Sequence, residues 1–168
     1  MSKSALKKEL MTMNQNQLVQ VILDSYEANS DFKEYFEFFL NPDVNKLLEK
    51  HEKAVTKEVT RSKYGYSKLR VTNLKKYVKK FIGFNAGIEA NLDMFFLTLN
   101  LLGLAERYTN FNSSQIKYIE FLTKQIINYG NDHEVITTVM ERLAIETEKP
   151  NYTIYFRDNV KRAVSSSI

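Results

Sequence analysis

Turn-forming residues are scarce in this chain. Five glycines and two prolines occur in 168 residues, so architectures that need many tight turns, such as β-sandwiches and β-barrels, are disfavoured. Apolar residues instead recur at spacings of three and four along nearly the whole sequence, which is the pattern of amphipathic helices. The sequence therefore predicts an all-α fold: a single-domain, antiparallel multi-helix bundle of eight or nine helices.

The length fits one domain, which we expect to cover residues 1–164, with the final "SSSI" (165–168) as a frayed tail. Capping residues and helix breakers place the boundaries of the individual helices. For example, Asn14 and Gln17 have the spacing of a capping box. The predicted helices cover about 4–12, 14–28, 30–40, 42–60, 72–82, 85–107, 113–129, 132–148 and 152–164, with a loop over 61–71.

Several classes of protein are excluded or disfavoured by composition. There is no cysteine, so disulfides, thiolate metal sites and cysteine nucleophiles are excluded. The first ten residues, "MSKSALKKEL", lack the continuous apolar core of a secretory signal. The longest apolar stretch, Met94–Ala105, is about half the length of a bilayer span. We therefore expect a cytoplasmic protein that does not insert into a membrane.

Residues with catalytic potential are few. Of the two histidines, His51 lies on the apolar stripe of its helix, where a packed, hydrogen-bonded side chain is expected, and His133 is expected near a helix start. Neither has the spacing of a metal-ligand motif. Glu89 and Asp93 form an i,i+4 carboxylate pair, which could act in acid–base catalysis, form a polar edge, or provide counter-ions for the basic residues just before it in the sequence. Asp93 lies in an apolar run and needs a partner, for which Arg70 is the candidate.

No phosphate-binding glycine loop and no nucleophile motif occurs in the sequence. Together with the shortage of glycine, cysteine and histidine, this makes an enzyme the less favoured interpretation, although one of an unrecognised class stays open. We expect no cofactor, no metal site and no catalytic residues of a known type.

The most distinctive charged feature is a basic segment, which we define as residues 61–80. It carries eight positive charges and no negative one, so the rest of the chain sums to 4 − 8 = −4. On a helical wheel, its lysines from 75 to 80 face away from Leu74, Val78 and Phe81. The candidate anion or nucleic-acid contacts are Arg61, Lys63, Lys68, Arg70, Lys75, Lys76, Lys79 and Lys80.

The basic segment has two interpretations. A charge run is most often the solvated face of a helix, and the acidic remainder of the chain offers internal partners. A polyanion-binding groove would combine phosphate contacts with stacking platforms, for which Tyr64 and Tyr66 are candidates. Those tyrosines could equally pack the loop against the core.

Three functional hypotheses remain. The first is a non-enzymatic helical protein that acts through protein–protein or homo-oligomer contacts, made by the aromatic-rich segments "EYFEFFL" (34–40) and "DMFFLTLNLLGLA" (93–105) if these are exposed. The second is binding of nucleic acid or another polyanion by the basic segment. The third is an unrecognised enzyme.

Two stretches also carry a family resemblance. "EYFEFFLNPDVNKLLEKHEKAV" and "YGYSKLRVTNLKKYVKKF" resemble a bacterial family of small all-helical proteins classed as a domain of unknown function. The resemblance is strongest over residues 31–82. It implies a single all-α domain in a bacterial cytoplasm, and it implies no activity, cofactor or site residue.

Overall fold

The computed structural model describes residues 1–167, and over that range the fold is all-α, as the sequence predicts. Nine helices and one small β-hairpin make up the described chain. In chain order the elements are α1 Lys3–Thr12, α2 Gln15–Ala28, α3 Ser30–Leu40, α4 Val44–Val59, β1 Ser62–Lys63, β2 Tyr66–Ser67, α5 Val71–Ile82, α6 Ile88–Tyr108, α7 Ser113–Asp132, α8 Ile136–Glu148 and α9 Ile154–Ser165.

The chain forms two compact units, one over Met1–Asp43 and the other starting at Val44. The single domain expected over residues 1–164 stays a prediction. The predicted tail overlaps the end of α9 at Ser165, and its last residue, Ile168, lies outside the described residues.

The first unit is a set of three amphipathic helices in which α2 packs against α3. Asn14 and Gln17 form the predicted capping box at the start of α2. Between the two helices, the Tyr26 hydroxyl donates a hydrogen bond to Glu37 at 2.9 Å. None of the first 43 residues is fully buried, so this unit has no closed core of its own.

The second unit is built around α6, which packs against α4, α5 and α7. Ten of its 21 residues are buried, because this helix has apolar side chains on almost every face. The long helix α7 packs in turn against α8 and α9. Phe81, Leu99, Ile126 and Phe156, from four different helices, are among the most deeply buried side chains of this core.

Helix α6 is also the one helix among residues 1–167 that is long and apolar enough to cross a membrane, judged by length and composition. Half of its most apolar window is buried inside the protein. A core helix of a soluble protein passes the same test, so this property is weak evidence for a membrane span.

Gly130 was expected to lie beyond the end of a helix, and that expectation is wrong. Helix α7 continues through it to Asp132. A Cβ at position 130 would lie 2.9 Å from Val139 Cγ2 and 3.3 Å from the Ile136 Cα. The glycine is therefore required for the close approach of α7 and α8, and α8 begins only at Ile136 instead of Asp132.

Other helix starts differ from the sequence prediction because a neighbouring residue provides the cap. The side chain of Asn29, not Ser30, accepts the N–H groups at the start of α3. Asn112 forms a capping box with Gln115 at the start of α7, ahead of the predicted serines. The remaining shifts are small: α4 begins at Val44, α5 at Val71, α6 at Ile88 and α9 at Ile154.

Candidate functional site

A buried carboxylate, Glu58 near the end of α4, precedes the basic segment and contacts it. One carboxylate oxygen accepts the Arg70 backbone N–H at 2.7 Å, and the other accepts the Asn73 side chain at 2.9 Å. The Arg61 guanidinium lies 3.2 Å away. Burial acts to raise the pKa of Glu58, but the hydrogen bonds from Asn73 and Arg70 and the charge of Arg61 outweigh it, so the pKa lies below its ordinary value.

Glu58 is therefore an internal partner for a segment that has no acidic residue of its own. It fixes the two ends of the 61–70 connection and the first turn of α5. Since only one of the eight candidate cations, Arg61, pairs with it, Glu58 explains the position of the segment but does not neutralise it.

The eight predicted site residues differ in their exposure and in their contacts. Helix α5 is amphipathic as expected: Leu74, Val78 and Phe81 are buried, whereas Lys75, Lys76 and Lys79 are exposed and Lys80 is half-buried. Within residues 1–167, four of the cations form neither an ion pair nor a contact with an aromatic ring, so their charge faces solvent. These four are Lys68, Arg70, Lys76 and Lys79.

The predicted loop contains a β-hairpin, in which Ser62 pairs with Ser67 and Lys63 with Tyr66. Its two-residue turn, Tyr64-Gly65, has positive φ at both positions, 52° and 77°, as in the tight turns that match the twist of a hairpin. Tyr64 is 88% exposed and Tyr66 59% exposed. The tyrosines therefore do not pack the loop against the core.

The Lys63 ammonium lies 5.2 Å from the centre of the Tyr64 ring. The hairpin thus presents two aromatic rings and a cation together at the surface.

The two aromatic-rich segments have different environments. Segment 93–105 lies in α6, and most of it is buried, so it forms core and not an interface. Segment 34–40 lies in α3, where Phe39 is 64% and Leu40 60% exposed. Of the eighteen large, exposed apolar side chains among residues 1–167, ten belong to the first 43 residues. The exposed apolar surface is therefore concentrated on α1, α2 and α3.

A groove between α5 and α7, with α6 as its floor, was not predicted from the sequence. It encloses about 810 Å³. The apolar part of its lining consists of Val78, Ile82, Phe95, Phe121 and Tyr129. Phe95 and Tyr129 contact edge to face with ring centres 5.5 Å apart. The Tyr129 hydroxyl accepts a hydrogen bond from the Asn91 side chain at 2.9 Å, which fixes this part of the groove.

The groove has opposite charges at its two ends. Lys75 and Phe121 line both this groove and a smaller depression of about 570 Å³ next to the start of α7. At the other end the lining includes Gly83 on one side and Asp132 on the other. Helices α5 and α7 therefore run in the same direction, with Lys75 at the basic end and Asp132 at the acidic end.

Of the two candidate acid–base residues, Glu89 is exposed in the first turn of α6 and Asp93 lies in an ion pair. Asp93 pairs with Arg142, whose Nη2 lies 2.9 Å from its carboxylate, so the prediction of Arg70 as partner is wrong. The backbone N–H of Arg70 instead donates a hydrogen bond to Glu58. Both Asp93 and Arg142 are partly exposed. Among residues 1–167 there is no group of three or more acidic or histidine side chains arranged to hold a metal ion.

Both histidines contact aromatic rings. His51 is buried, as expected, and its ring contacts Phe81 and Phe84 edge to face at 5.3 and 5.7 Å. His133 follows the end of α7 instead of starting a helix, and its ring lies 4.2 Å from that of Tyr129.

The sequence of this all-α protein matches a known family. Residues 1–160 match the family of unknown function DUF6155, and the chain belongs to that family. The resemblance noted over residues 31–82 thus extends over nearly the whole chain. No curated protein and no solved structure matches the chain.

Proposed function

We propose that this chain is a non-enzymatic protein that acts by binding another protein chain, in the first place a second copy of itself, through the apolar surface of α1–α3. The observation that supports this is the exposure of ten large apolar side chains within residues 1–43. Exposed apolar surface concentrated in one region is typical of interaction sites. The active protein is expected in the bacterial cytoplasm.

Charge sets the salt dependence of this association. Residues 1–43 carry four basic and seven acidic side chains, a net charge of 4 − 7 = −3. Two copies that meet through this surface bring like charges together, and salt screens that repulsion. Apolar burial itself does not weaken in salt, so we expect self-association to be unchanged or stronger at high salt.

The test is size-exclusion chromatography with light scattering over a range of protein concentrations. The double variant Phe39→Ser/Leu40→Ser removes two exposed apolar side chains from the end of α3, and we expect it to lower the mass of the dimer or higher oligomer to that of the monomer. Ile145→Ser is the matched control, because Ile145 is 63% exposed on α8, outside the proposed surface. A wild type that stays monomeric at every concentration would refute self-association.

A second candidate function, binding of single-stranded nucleic acid or another polyanion, is favoured by the hairpin. Stacking of bases on aromatic rings beside a cationic surface is the usual mode of single-strand binding, and Tyr64 and Tyr66 are exposed beside Lys63. The four cations that contact neither a carboxylate nor an aromatic ring, Lys68, Arg70, Lys76 and Lys79, would provide phosphate contacts.

Four phosphate contacts predict that affinity for a single strand falls about 50-fold when salt rises from about 50 to about 200 mM. Fluorescence polarisation with labelled DNA and RNA oligonucleotides measures this. Tyr64→Ala/Tyr66→Ala should weaken binding, and Tyr108→Ala, another exposed tyrosine, should not. Absence of binding at low salt would eliminate this function. Nucleic-acid binding should weaken as salt rises, whereas self-association should not, so the salt dependence distinguishes the two functions.

A further inference from the structure

The groove between α5 and α7 has the size of a small-molecule site. Sites for small ligands typically enclose about 300–1,000 Å³ and combine an apolar lining with a few polar groups, and this groove encloses about 810 Å³. Its lining runs along α5 from Lys75 to Gly83, a distance of about 12 Å at the rise of an α-helix. The groove therefore fits a ligand about as long as two or three linked rings.

The basic end of the groove favours a negative group on that ligand. Lys75 and Lys79 line it, one turn apart on α5, and neither forms an ion pair among the described residues. The Lys75 ammonium lies 4.1 Å from the centre of the Phe121 ring, which holds it at the edge of the groove. Asp132, at the other end, disfavours an anion there.

We propose that this groove binds a small amphipathic anion. Its apolar or aromatic body lies on Phe95, Val78 and Ile82, and its carboxylate, sulfonate or similar group lies at Lys75 and Lys79. The contact between Lys75 and Phe121 closes the basic end, because these two residues separate the groove from the neighbouring depression. A longer occupant, such as an acidic amphipathic helix, would have to displace this contact, so the geometry favours the small ligand.

The experiment compares an anionic and a neutral aromatic probe on the full chain. The fluorescence of 1-anilinonaphthalene-8-sulfonate and of uncharged N-phenyl-1-naphthylamine is titrated at low salt. We expect Lys75→Gln/Lys79→Gln to lower the affinity for the sulfonate probe by about three- to tenfold, the effect of losing two exposed charges. The affinity for the neutral probe should stay unchanged. Lys68→Gln/Lys76→Gln is the matched control, since neither residue lines the groove.

A blocking variant locates the probes. Gln125 lines the groove from α7 and is exposed. A tryptophan at this position should therefore fill part of the groove without disturbing the core, so Gln125→Trp should lower the affinity for both probes. Lys124→Trp, one residue away and outside the lining, is the control. Backbone NMR spectra should show probe-dependent shifts at Val78–Gly83 and Phe121–Tyr129.

Three outcomes would overturn the proposal. The first is that Gln125→Trp leaves both titrations unchanged. The second is that the NMR shifts are confined to residues 1–43, where apolar side chains are also exposed. The third is that neither probe binds but a designed acidic amphipathic peptide shifts the groove residues, which would make the groove a peptide-binding site. Because the groove lies outside α1–α3, its failure leaves the proposed self-association untouched.

Discussion

Replacing Glu58 by glutamine tests how the basic segment is held in place. The substitution keeps the shape of the side chain but replaces one carboxylate oxygen by an NH₂ group. Its two oxygens now accept the Arg70 N–H and the Asn73 side chain, so one of these donors, each part-buried, would face another donor. A buried donor left without an acceptor costs about 1–3 kcal/mol. With the lost attraction to half-exposed Arg61 added, we expect about 2–3 kcal/mol lower unfolding free energy at pH 7.

The assay is urea unfolding followed by circular dichroism. Glu49→Gln is the matched control: it makes the same chemical change on the same helix, where Glu49 pairs with Lys53 at the surface. We expect the control to unfold at the wild-type urea concentration. If Glu58→Gln unfolded at the same concentration as Glu49→Gln, the anchoring role of Glu58 would be refuted.

The pH dependence of the difference in unfolding free energy between wild type and Glu58→Gln provides an independent check. Since the pKa of Glu58 is lower in the folded state than its ordinary value of 4.5, the unfolded chain takes up the proton more readily. The stabilisation by the charge is therefore complete above the ordinary pKa and is lost as the pH falls through the folded value. The difference in unfolding free energy between wild type and Glu58→Gln should thus become smaller as the pH falls from about 6 to below the ordinary pKa of 4.5.

Two further changes test the packing of the second unit. Gly130→Ala puts a methyl group 2.9 Å from Val139 Cγ2, so we expect a loss of about 1–3 kcal/mol, measured as a lower melting temperature in thermal unfolding. An unchanged melting temperature would mean that α7 and α8 separate without cost. Tyr152→Phe removes the hydroxyl that donates to Glu146 at 2.7 Å, and we expect a loss of about 1–2 kcal/mol. In Glu146→Gln the same Tyr152→Phe change should cost less; an equal cost would show that the two side chains are not coupled.

The fold class was predictable because it depends on local signals. The spacing of apolar residues defines each helix separately. Asn14 and Gln17, only three positions apart, are sufficient to specify where α2 begins. Gly130 was misassigned because a glycine that permits close helix packing looks, in sequence, like one that ends a helix. The β-hairpin escaped prediction because its strands have two residues each, too few to show an alternating pattern.

The groove and the exposed surface of α1–α3 were not predictable in the same way. Phe95, Phe121 and Tyr129 each lie on the apolar face of a helix, and a periodic pattern identifies that face without showing which neighbour covers it. The segments 34–40 and 93–105 are similarly aromatic and apolar, yet one is exposed and the other forms core. That difference depends on which helices pack together, which no local pattern contains.

The turn at Tyr64 has a consequence for how this surface evolves. A tyrosine at φ 52° costs on the order of 1 kcal/mol compared with glycine, which has no β-carbon. Selection for folding alone would therefore replace this tyrosine, and an exposed ring gains little from burial that would offset the cost. At position 64, stability and ligand binding by the hairpin thus favour different residues. A laboratory selection for thermostability should replace Tyr64, and a selection for binding by the hairpin should retain it.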